Sequence, residues 1–564
     1  MRRLADGRIQ FEGPADVPPV ALSLSSTAFN RTGDWRSREP VFGDLTPPCA
    51  AACPAGQDVV DQVRLLSQGR VREAGQVVLA ANPFPAITGR VCPHPCTAAC
   101  NRGKMEGPVD IPGVERALGD LVLAERVELP RSPETGARVA VVGAGPAGLT
   151  AAHYLGLGGC EVTLYDRSDR PGGLLSAGIP PYRLPRAVVE AEVARALRPG
   201  VRFAGQRWLG RDLEVEALSR EFDAVLLAVG RHAPRRLGVP GEGASGVVDG
   251  LELLSAREPP LAAPARRRAV VVGGGNTALD CARSLRRAGF EVTVAYRRGR
   301  ADMPAFADEV QEALEEGVAL EDWLLPAEVV TREGRASALR CLRARPGEPD
   351  GSGRPRPVPV PGSERTLDAD LVVAAAGEEL DRRGLPESWV ERGRVVPGPA
   401  FAGRVLAIGD CAGAGGTVAH AIGEGRRAAA ALATGLGCAA PATNLLAERG
   451  AAPEVAGFER VRPAWHRPAV PWARGREDAV LRRQDEREVR LGFTREEALR
   501  EASRCLACGT CAGCELCYQL CPDRAVVRGA PGAYSVDASR CKGCGVCVEE
   551  CPRGALALRE RGGA

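Results

Sequence analysis

The sequence predicts an α/β protein: two nested Rossmann-like dinucleotide-binding domains, with a small helical domain before them and a small α+β domain after them. Three observations predict this. A strand, glycine-rich turn and helix occur in register twice in the middle of the chain. Of the twenty cysteines, fifteen fall into two tightly spaced groups, one near each end. The length, 564 residues, suits roughly three or four domains of ordinary size.

Composition narrows the function classes. A formal net charge of +3 is close to balance, so no nucleic-acid partner is expected. No apolar run reaches the roughly 18 residues that a membrane span needs, so no membrane insertion is expected. The opening MRRLADGRIQ pairs two arginines with no apolar stretch behind them, which argues against a secretory signal and for a cytoplasmic location. In a reducing compartment, closely spaced cysteines act as metal ligands rather than disulfides. Cys160, Cys281, Cys341, Cys411 and Cys438 are scattered singly and read as small core hydrophobes.

The first nucleotide signature begins with a short apolar strand over 139–142. It runs into Gly143-x-Gly145-Pro146-Ala147-Gly148 and then a helix of small residues. The first glycine permits the turn, the second lets the backbone approach a diphosphate, and the third packs helix on strand. The helix N-terminus offers free N–H groups to the phosphates. A second strand ends at Asp166-Arg167, where a carboxylate reaches ribose hydroxyls. Gly172-Gly173-Leu174 follows, where flavin-binding versions of this fold bring a loop against the cofactor.

The second signature has Gly273-x-Gly275-Asn276-Thr277-Ala278 between strand and helix. Its second strand ends in Tyr296-Arg297-Arg298 instead of an acid. Arginines there suit a 2′-phosphate, which favours NADP(H) and leaves NAD(H) as the alternative. Two buried-strand runs end at Gly230 and Gly377. A third strand leads into Gly409-Asp410 and then a helix entered near Thr417-Val418, an arrangement suited to the ribityl and diphosphate region of a flavin. The expected division is an N-terminal extension over 1–40, a helical domain over 41–130, and an FAD domain over 138–255 and 370–437. An NAD(P)H domain over 256–369, a wrapping linker over 438–493 and a terminal domain over 494–564 complete it.

The terminal domain contains Cys511-x2-Cys514-x2-Cys517-x3-Cys521-Pro and Cys541-x2-Cys544-x2-Cys547-x3-Cys551-Pro. This is the bacterial two-cluster ferredoxin spacing, in which the fourth cysteine of each run serves the other [4Fe–4S] cluster. One cluster therefore takes Cys511, Cys514, Cys517 and Cys551; the other takes Cys541, Cys544, Cys547 and Cys521. Cys505 and Cys508 precede these runs as a surplus pair. Near the N-terminus stand Cys49, Cys53, Cys92, Cys96 and Cys100, each one four residues after its neighbour within its own stretch.

The segment over about 40–437 resembles the small subunit of NADPH-dependent glutamate synthase and its relatives. The likeness rests on GGLLSAGIPPYRLP (172–185, which includes Arg183) and YRRGRADMPA (296–305). Glu378 departs from the glutamine that family more often carries after the glycine. The resemblance implies two [4Fe–4S] clusters in the N-terminal domain. One of them has an unusual glutamine or glutamate ligand, and Glu115 occupies that place; the alternative for Glu115 is a solvated helix residue. His94, among the cysteines, reads as a hydrogen-bonding partner, with ligation as the alternative. The family's first C-x2-C is absent at the N-terminus, whereas EASRCLACG carries a similar phrase at 501–509. The expectation is that Cys505 and Cys508 join Cys49 and Cys100 in one cluster, while Cys53, Cys92, Cys96 and Glu115 hold another. The rival is that the pair is spare or binds a separate metal.

The implied function is an NAD(P)H-dependent, FAD-containing oxidoreductase that passes electrons through four [4Fe–4S] clusters to a ferredoxin or a partner subunit. The alternative is an electron-transfer subunit, possibly bifurcating, that is inert outside its complex. A hydride carries two electrons and a cluster accepts one, so a flavin is the required converter. No side-chain acid, base or nucleophile is expected to be catalytic.

Overall fold

The computed structural model describes residues 2–3, 9–10, 31–256, 267–398, 403–413, 415–441, 452–530 and 533–560. Two five-stranded parallel sheets organise the middle of the chain. In the first, Arg138–Val142 is central. Glu161–Tyr165 and then Val201–Ala204 lie on one side, Ala224–Leu227 and then Val405–Ala407 on the other. These strands read as continuous apolar runs because helices cover both faces. Helices Pro146–Leu157 and Val418–Gly435 share one core through Leu149, Ala152, Leu155, Ile422, Ala429 and Leu432.

In the second sheet, Arg268–Val272 is central. Glu291–Ala295 and Ala319–Glu321 lie on one side, Leu371–Ala374 and Val247–Asp249 on the other. All its strands fall in sequence between the fourth and fifth strands of the first sheet. Two boundaries differ from expectation. Val247–Asp249 and Leu371–Ala374 were assigned to the FAD segments but pair in the second sheet, with Val372 opposite both Val248's neighbour Val247 and Val270. A four-residue apolar strand ending near a glycine fits either sheet, and only tertiary pairing decides between them.

The segment over 41–130 contains helices Val59–Ser67, Val71–Leu79, Pro85–Val91 and Ile111–Ala124, the helical domain. Asp58 caps the first by accepting from Asp61 N. The last two cross so closely that a Cβ on Gly119 would lie 2.2 Å from Ala86 N. Helix Arg495–Ser503 carries the capping box of Thr494 and Glu497 that its sequence predicts. It does not pack with the terminal domain in which the sequence reading put it. Phe493, Ala498 and Ala502 instead join Val59, Val63 and Leu118 in the helical domain's core.

The chain ends also meet. Strand Arg38–Phe42 pairs antiparallel with Leu556–Glu560, so the end of the expected N-terminal extension completes the C-terminal domain. The rest of 1–40 lies largely outside the described residues. Between the nucleotide domains and the terminal domain, the expected linker wraps the molecule. Val489 N donates to Tyr182 O at 2.9 Å. Arg482 pairs with Glu315 at 2.8 Å, Arg490 with Glu312 at 2.8 Å, and Arg474 with Asp110 at 2.6 Å. Among the described residues, no helix is long and apolar enough to cross a membrane.

Candidate functional site

The first glycine turn forms where its spacing predicts. Gly143 has φ 109°, and a Cβ there would lie 2.3 Å from Ala228 O, so only glycine makes this turn. At Gly145 nothing lies within 4 Å of a Cβ position, which leaves the N-terminus of helix Pro146–Leu157 open to a diphosphate. Gly148 packs the helix against the turn behind it. Asp166 ends its strand with Oδ2 accepting from Ala144 N at 2.6 Å and Oδ1 from Ser168 N at 2.8 Å. Gly172 and Gly173 fold a loop back over Gly145. Thr417 caps helix Val418–Gly435 through His420 N.

These elements face one cleft of about 2350 Å³. Its walls include Gly143, Gly145, Pro146, Ala147, Asp166, Arg167, Gly173, Leu174, Gly230, Gly409, Asp410, Thr417 and Val418, joined by Asn276 and Thr277 from the second signature. A pocket for one small ligand is roughly 300–1,000 Å³. The cleft is therefore well beyond the size that one small ligand needs. Inside it, Thr277 Oγ1 donates to Glu378 Oε1 at 3.4 Å. Burial raises Glu378 above the ordinary carboxylate range despite that bond, with Asp249 and Asp410 adding to the effect. Gly377, adjacent to Glu378, is outside the cleft walls.

Two arginines do other work than expected. Arg183 lines the cleft, but its guanidinium pairs with Asp280 at 2.6 Å and Glu309 at 3.1 Å, bracing one nucleotide domain against the other. Arg298 is buried, donates to Pro355 O at 2.9 Å and pairs with Asp350, so it holds the hairpin of Arg335–Pro349 and Pro355–Asp368. Arg297 is exposed at the end of strand Glu291–Ala295, and among the described residues it has no ion-pair partner. Partial burial of its guanidinium, then the charges of Arg298, Arg354 and Arg235, pull its pKa below the usual arginine range. Sequence reasoning missed Arg354 and Arg235 because they come from distant segments. The second turn itself repeats the first: Gly273 closes against Ala375 O, Gly275 is open, and Ala278 is buried beneath the helix.

The cysteines gather into four groups. Cys49, on helix Pro48–Ala51, meets Cys100, Cys505 and Cys508. Burial pushes its thiol up, and Cys505, Cys100, Cys508 and then Cys96 push it further. Burial likewise pushes Cys505 up to about 12, with Cys508 and Cys100 adding to it. Asn101 Nδ2 donates to Cys508 Sγ at 3.4 Å, and Arg102 Nη1 donates to Arg504 O at 3.1 Å. The second group is Cys53, Cys92 and Cys96 around Glu115. Glu115 is 4% exposed, which excludes a solvated role. Its Oε1 accepts from Gln57 at 2.8 Å, Thr88 at 2.8 Å and Asn82 at 3.0 Å, and its Oε2 lies 3.0 Å from His94 Nε2. Burial works to raise this carboxyl, but His94 first, then Gln57 and Thr88, hold it below its usual range.

In the terminal domain, one small cavity is lined by Cys511, Cys514, Cys517 and Cys551, and another by Cys521, Cys541, Cys544 and Cys547. Among the described residues, no three His, Cys, Asp or Glu side chains converge for a single metal ion. A four-iron cluster sets its thiolates at the corners of a wider cage than a single ion does.

The groups stand in order. Cys53 packs against the core of the first nucleotide domain, and Arg426 Nη2 donates to Gly56 O at 3.3 Å. Cys49 precedes it on the same stretch. Before that, Asp44 Oδ1 accepts from Cys511 N at 3.0 Å and Leu45 N donates to Gly509 O at 2.9 Å. Residues 44–53 thus run past three groups in succession.

Comparison with known proteins gives the family. The pyridine nucleotide-disulphide oxidoreductase family matches residues 137–425. The dihydropyrimidine dehydrogenase domain II, 4Fe-4S cluster family matches 45–127, and a 4Fe-4S binding domain matches 534–557. The glutamate synthase [NADPH] small chain of Azospirillum brasilense is 36% identical over 69% of this chain and 83% of its own. The chain belongs to the glutamate synthase small-subunit-like family of flavin and iron–sulfur oxidoreductases.

Other relatives in this family match more of the chain. The NADP(+)-dependent formate dehydrogenase subunit beta of Moorella thermoacetica is 35% identical over 82% of this chain and 71% of its own. The NADPH-Fe(3+) oxidoreductase subunit beta of Geobacter sulfurreducens is 35% identical over 82% of this chain and 75% of its own. Among solved structures, Mycobacterium tuberculosis FprA in complex with NADPH aligns at 20% identity and TM-score 0.46, over 65% of this chain and all of that one. As a member of this family, the chain is a flavin-dependent NAD(P)H oxidoreductase with [4Fe–4S] domains.

Proposed function

We propose that the chain moves electrons between NADPH and a partner protein through FAD and four [4Fe–4S] clusters. The observation that carries this reading is the threading of residues 44–53 past three cysteine groups, beginning at the first nucleotide domain. When bound, FAD exchanges the two electrons of a hydride for single electrons, which is the conversion a cluster chain requires. The residues divide the work. Gly145 and the helix behind it receive the flavin diphosphate, Asp166 the ribose, and Gly409, Asp410 and Thr417 the flavin end. Asn276, Thr277 and the second turn receive the nicotinamide dinucleotide. Arg297, with Arg354 and Arg235 nearby, suits a 2′-phosphate and favours NADP(H) over NAD(H).

Cys53, Cys92, Cys96 and Glu115 then hold the cluster beside the flavin domain, and Cys49, Cys100, Cys505 and Cys508 the next. Cys511, Cys514, Cys517 and Cys551 hold the third, and Cys541, Cys544, Cys547 and Cys521 the last. Cys511, Cys514 and Cys544 are exposed, so electrons leave for a ferredoxin or a catalytic subunit from the terminal domain. The same path serves flow in either direction, and a reducing cytoplasm suits so many free thiols. The test is anaerobic NADPH-dependent reduction of a viologen dye by the isolated chain. Turnover supports the reading. Its absence in yellow-brown, cofactor-replete protein would leave a subunit that works only inside its complex, contrary to the proposal.

A further inference from the structure

Five cysteines stand outside the four groups, and Cys281, Cys341 and Cys411 are each buried in a separate place. The other two meet. Cys160 Sγ lies 2.7 Å from Cys438 Sγ, although 278 positions separate them in sequence. That is well inside the ~4 Å of ordinary side-chain packing and approaches the ~2.05 Å of a disulfide bond. The backbones already sit side by side: Ala439 N donates to Gly158 O at 3.1 Å, and a Cβ on Gly158 would lie 2.3 Å from Ala439 O. Cys160 N is held by Leu155 O at 3.0 Å and Cys438 N by Ala433 O at 2.8 Å, each at the C-terminal end of a helix. Thr135 Oγ1 lies 3.2 Å from Cys438 Sγ, a third group ordered around the pair.

We propose that Cys160 and Cys438 form a redox-active dithiol, separate from the cluster cysteines, that hydrogen peroxide converts to a disulfide. Cys438 is 8% exposed and Cys160 is 0% exposed, so Cys438 is the sulfur that peroxide reaches first. Cys438 sulfur, as thiolate, attacks one peroxide oxygen. The O–O bond breaks, a sulfenic acid forms, and the hydroxide released takes up the thiol proton as water. Cys160 sulfur then attacks the sulfenic sulfur, the S–O bond breaks, and a second water leaves with the remaining proton. In sum, two thiols and one hydrogen peroxide give one disulfide and two waters.

The bond closes at the far ends of helices Pro146–Leu157 and Val418–Gly435, whose near ends face the dinucleotide cleft. Oxidation therefore staples the flavin-facing helix pair across a long loop. The test uses the full-length, cofactor-replete chain, kept anaerobic and then exposed to hydrogen peroxide. Free thiols are capped with N-ethylmaleimide and the protein is digested without reductant. The expected result is a linked peptide joining Cys160 to Cys438, lighter by two hydrogen atoms than the reduced pair and cleaved by dithiothreitol. In Cys160→Ala, Cys438 should instead accumulate as a sulfenic acid captured by dimedone. Recovery of both cysteines as separate maleimide adducts, or as sulfinic acids without a linked peptide, overturns the proposal. The readout does not depend on cluster content or turnover, so it stands apart from the electron-transfer reading.

Discussion

Asn101 Nδ2 donates a hydrogen bond to Cys508 Sγ at 3.4 Å, joining residues 407 positions apart. Asn101 is buried and also donates to Ala456 O at 2.9 Å, so its amide is fixed in this orientation. The contact ties a cysteine just before the ferredoxin runs to a site built by the N-terminal helices. Hydrogen bonds to cluster sulfur favour the reduced, more negative state. Asn101→Leu should lower the potential of the cluster held there. A bond worth about 1 kcal/mol corresponds to roughly 40 mV for one electron. Redox titration followed by electron paramagnetic resonance reads that shift, and the two terminal clusters should not move.

Arg297 and Arg298 should separate cleanly. Arg297→Ala should lower kcat/KM for NADPH by roughly 10–100-fold, the loss of about 1.5–3 kcal/mol from a charged hydrogen bond, with NADH little changed. Arg298 braces Pro355 and Asp350 instead, so Arg298→Ala should lower the thermal midpoint more than it alters nucleotide choice. Steady-state kinetics with both nucleotides checks the pair.

Arg283 is fully buried among Glu309, Glu312 and Glu316, with Nε 3.0 Å from Glu316 and Nη2 3.0 Å from Glu312. Arg283→Met leaves Glu309, Glu312 and Glu316 with Arg183, Arg490 and Arg287 as cations and should cost roughly 3 kcal/mol, read in a denaturant titration of the chain. Arg283→Lys should recover only part of this, because an ammonium cannot reproduce the fork geometry.

Arg38–Phe42 gives the terminal domain its outer strand. Deleting residues 32–42 should expose the edge of Leu556–Glu560 beside Cys547 and Cys551 and reduce occupancy of the two terminal clusters. Iron analysis should show a loss of up to about half the total.

What the sequence made legible was local and of fixed spacing. Both glycine turns form between strand and helix where their spacing predicts, and the box of Thr494 and Glu497 caps the helix it announces. What it hid depends on pairing across the chain. Arg38–Phe42 is five residues with weak alternation, and its partner lies more than 500 positions away. Leu371–Ala374 is apolar throughout, so its sequence does not name its sheet. Arg354 and Arg235 reach the second nucleotide site from a hairpin and a loop, and no spacing rule links them to Arg297. Cys160 and Cys438 looked like single core residues because nothing in either local sequence marks the other. The proximity of Cys505 and Cys508 to Cys49 and Cys100 was approachable only by counting ligands and by family resemblance.

Cluster stoichiometry is the most direct probe of the assembly. Iron and acid-labile sulfide should be measured per flavin in anaerobically purified full-length protein and in Cys508→Ala. Four cubanes predict about sixteen irons in the parent chain and about twelve in the variant, with the terminal ferredoxin signals unchanged. Equal iron in the two proteins, or a parent chain holding only about eight, would contradict it.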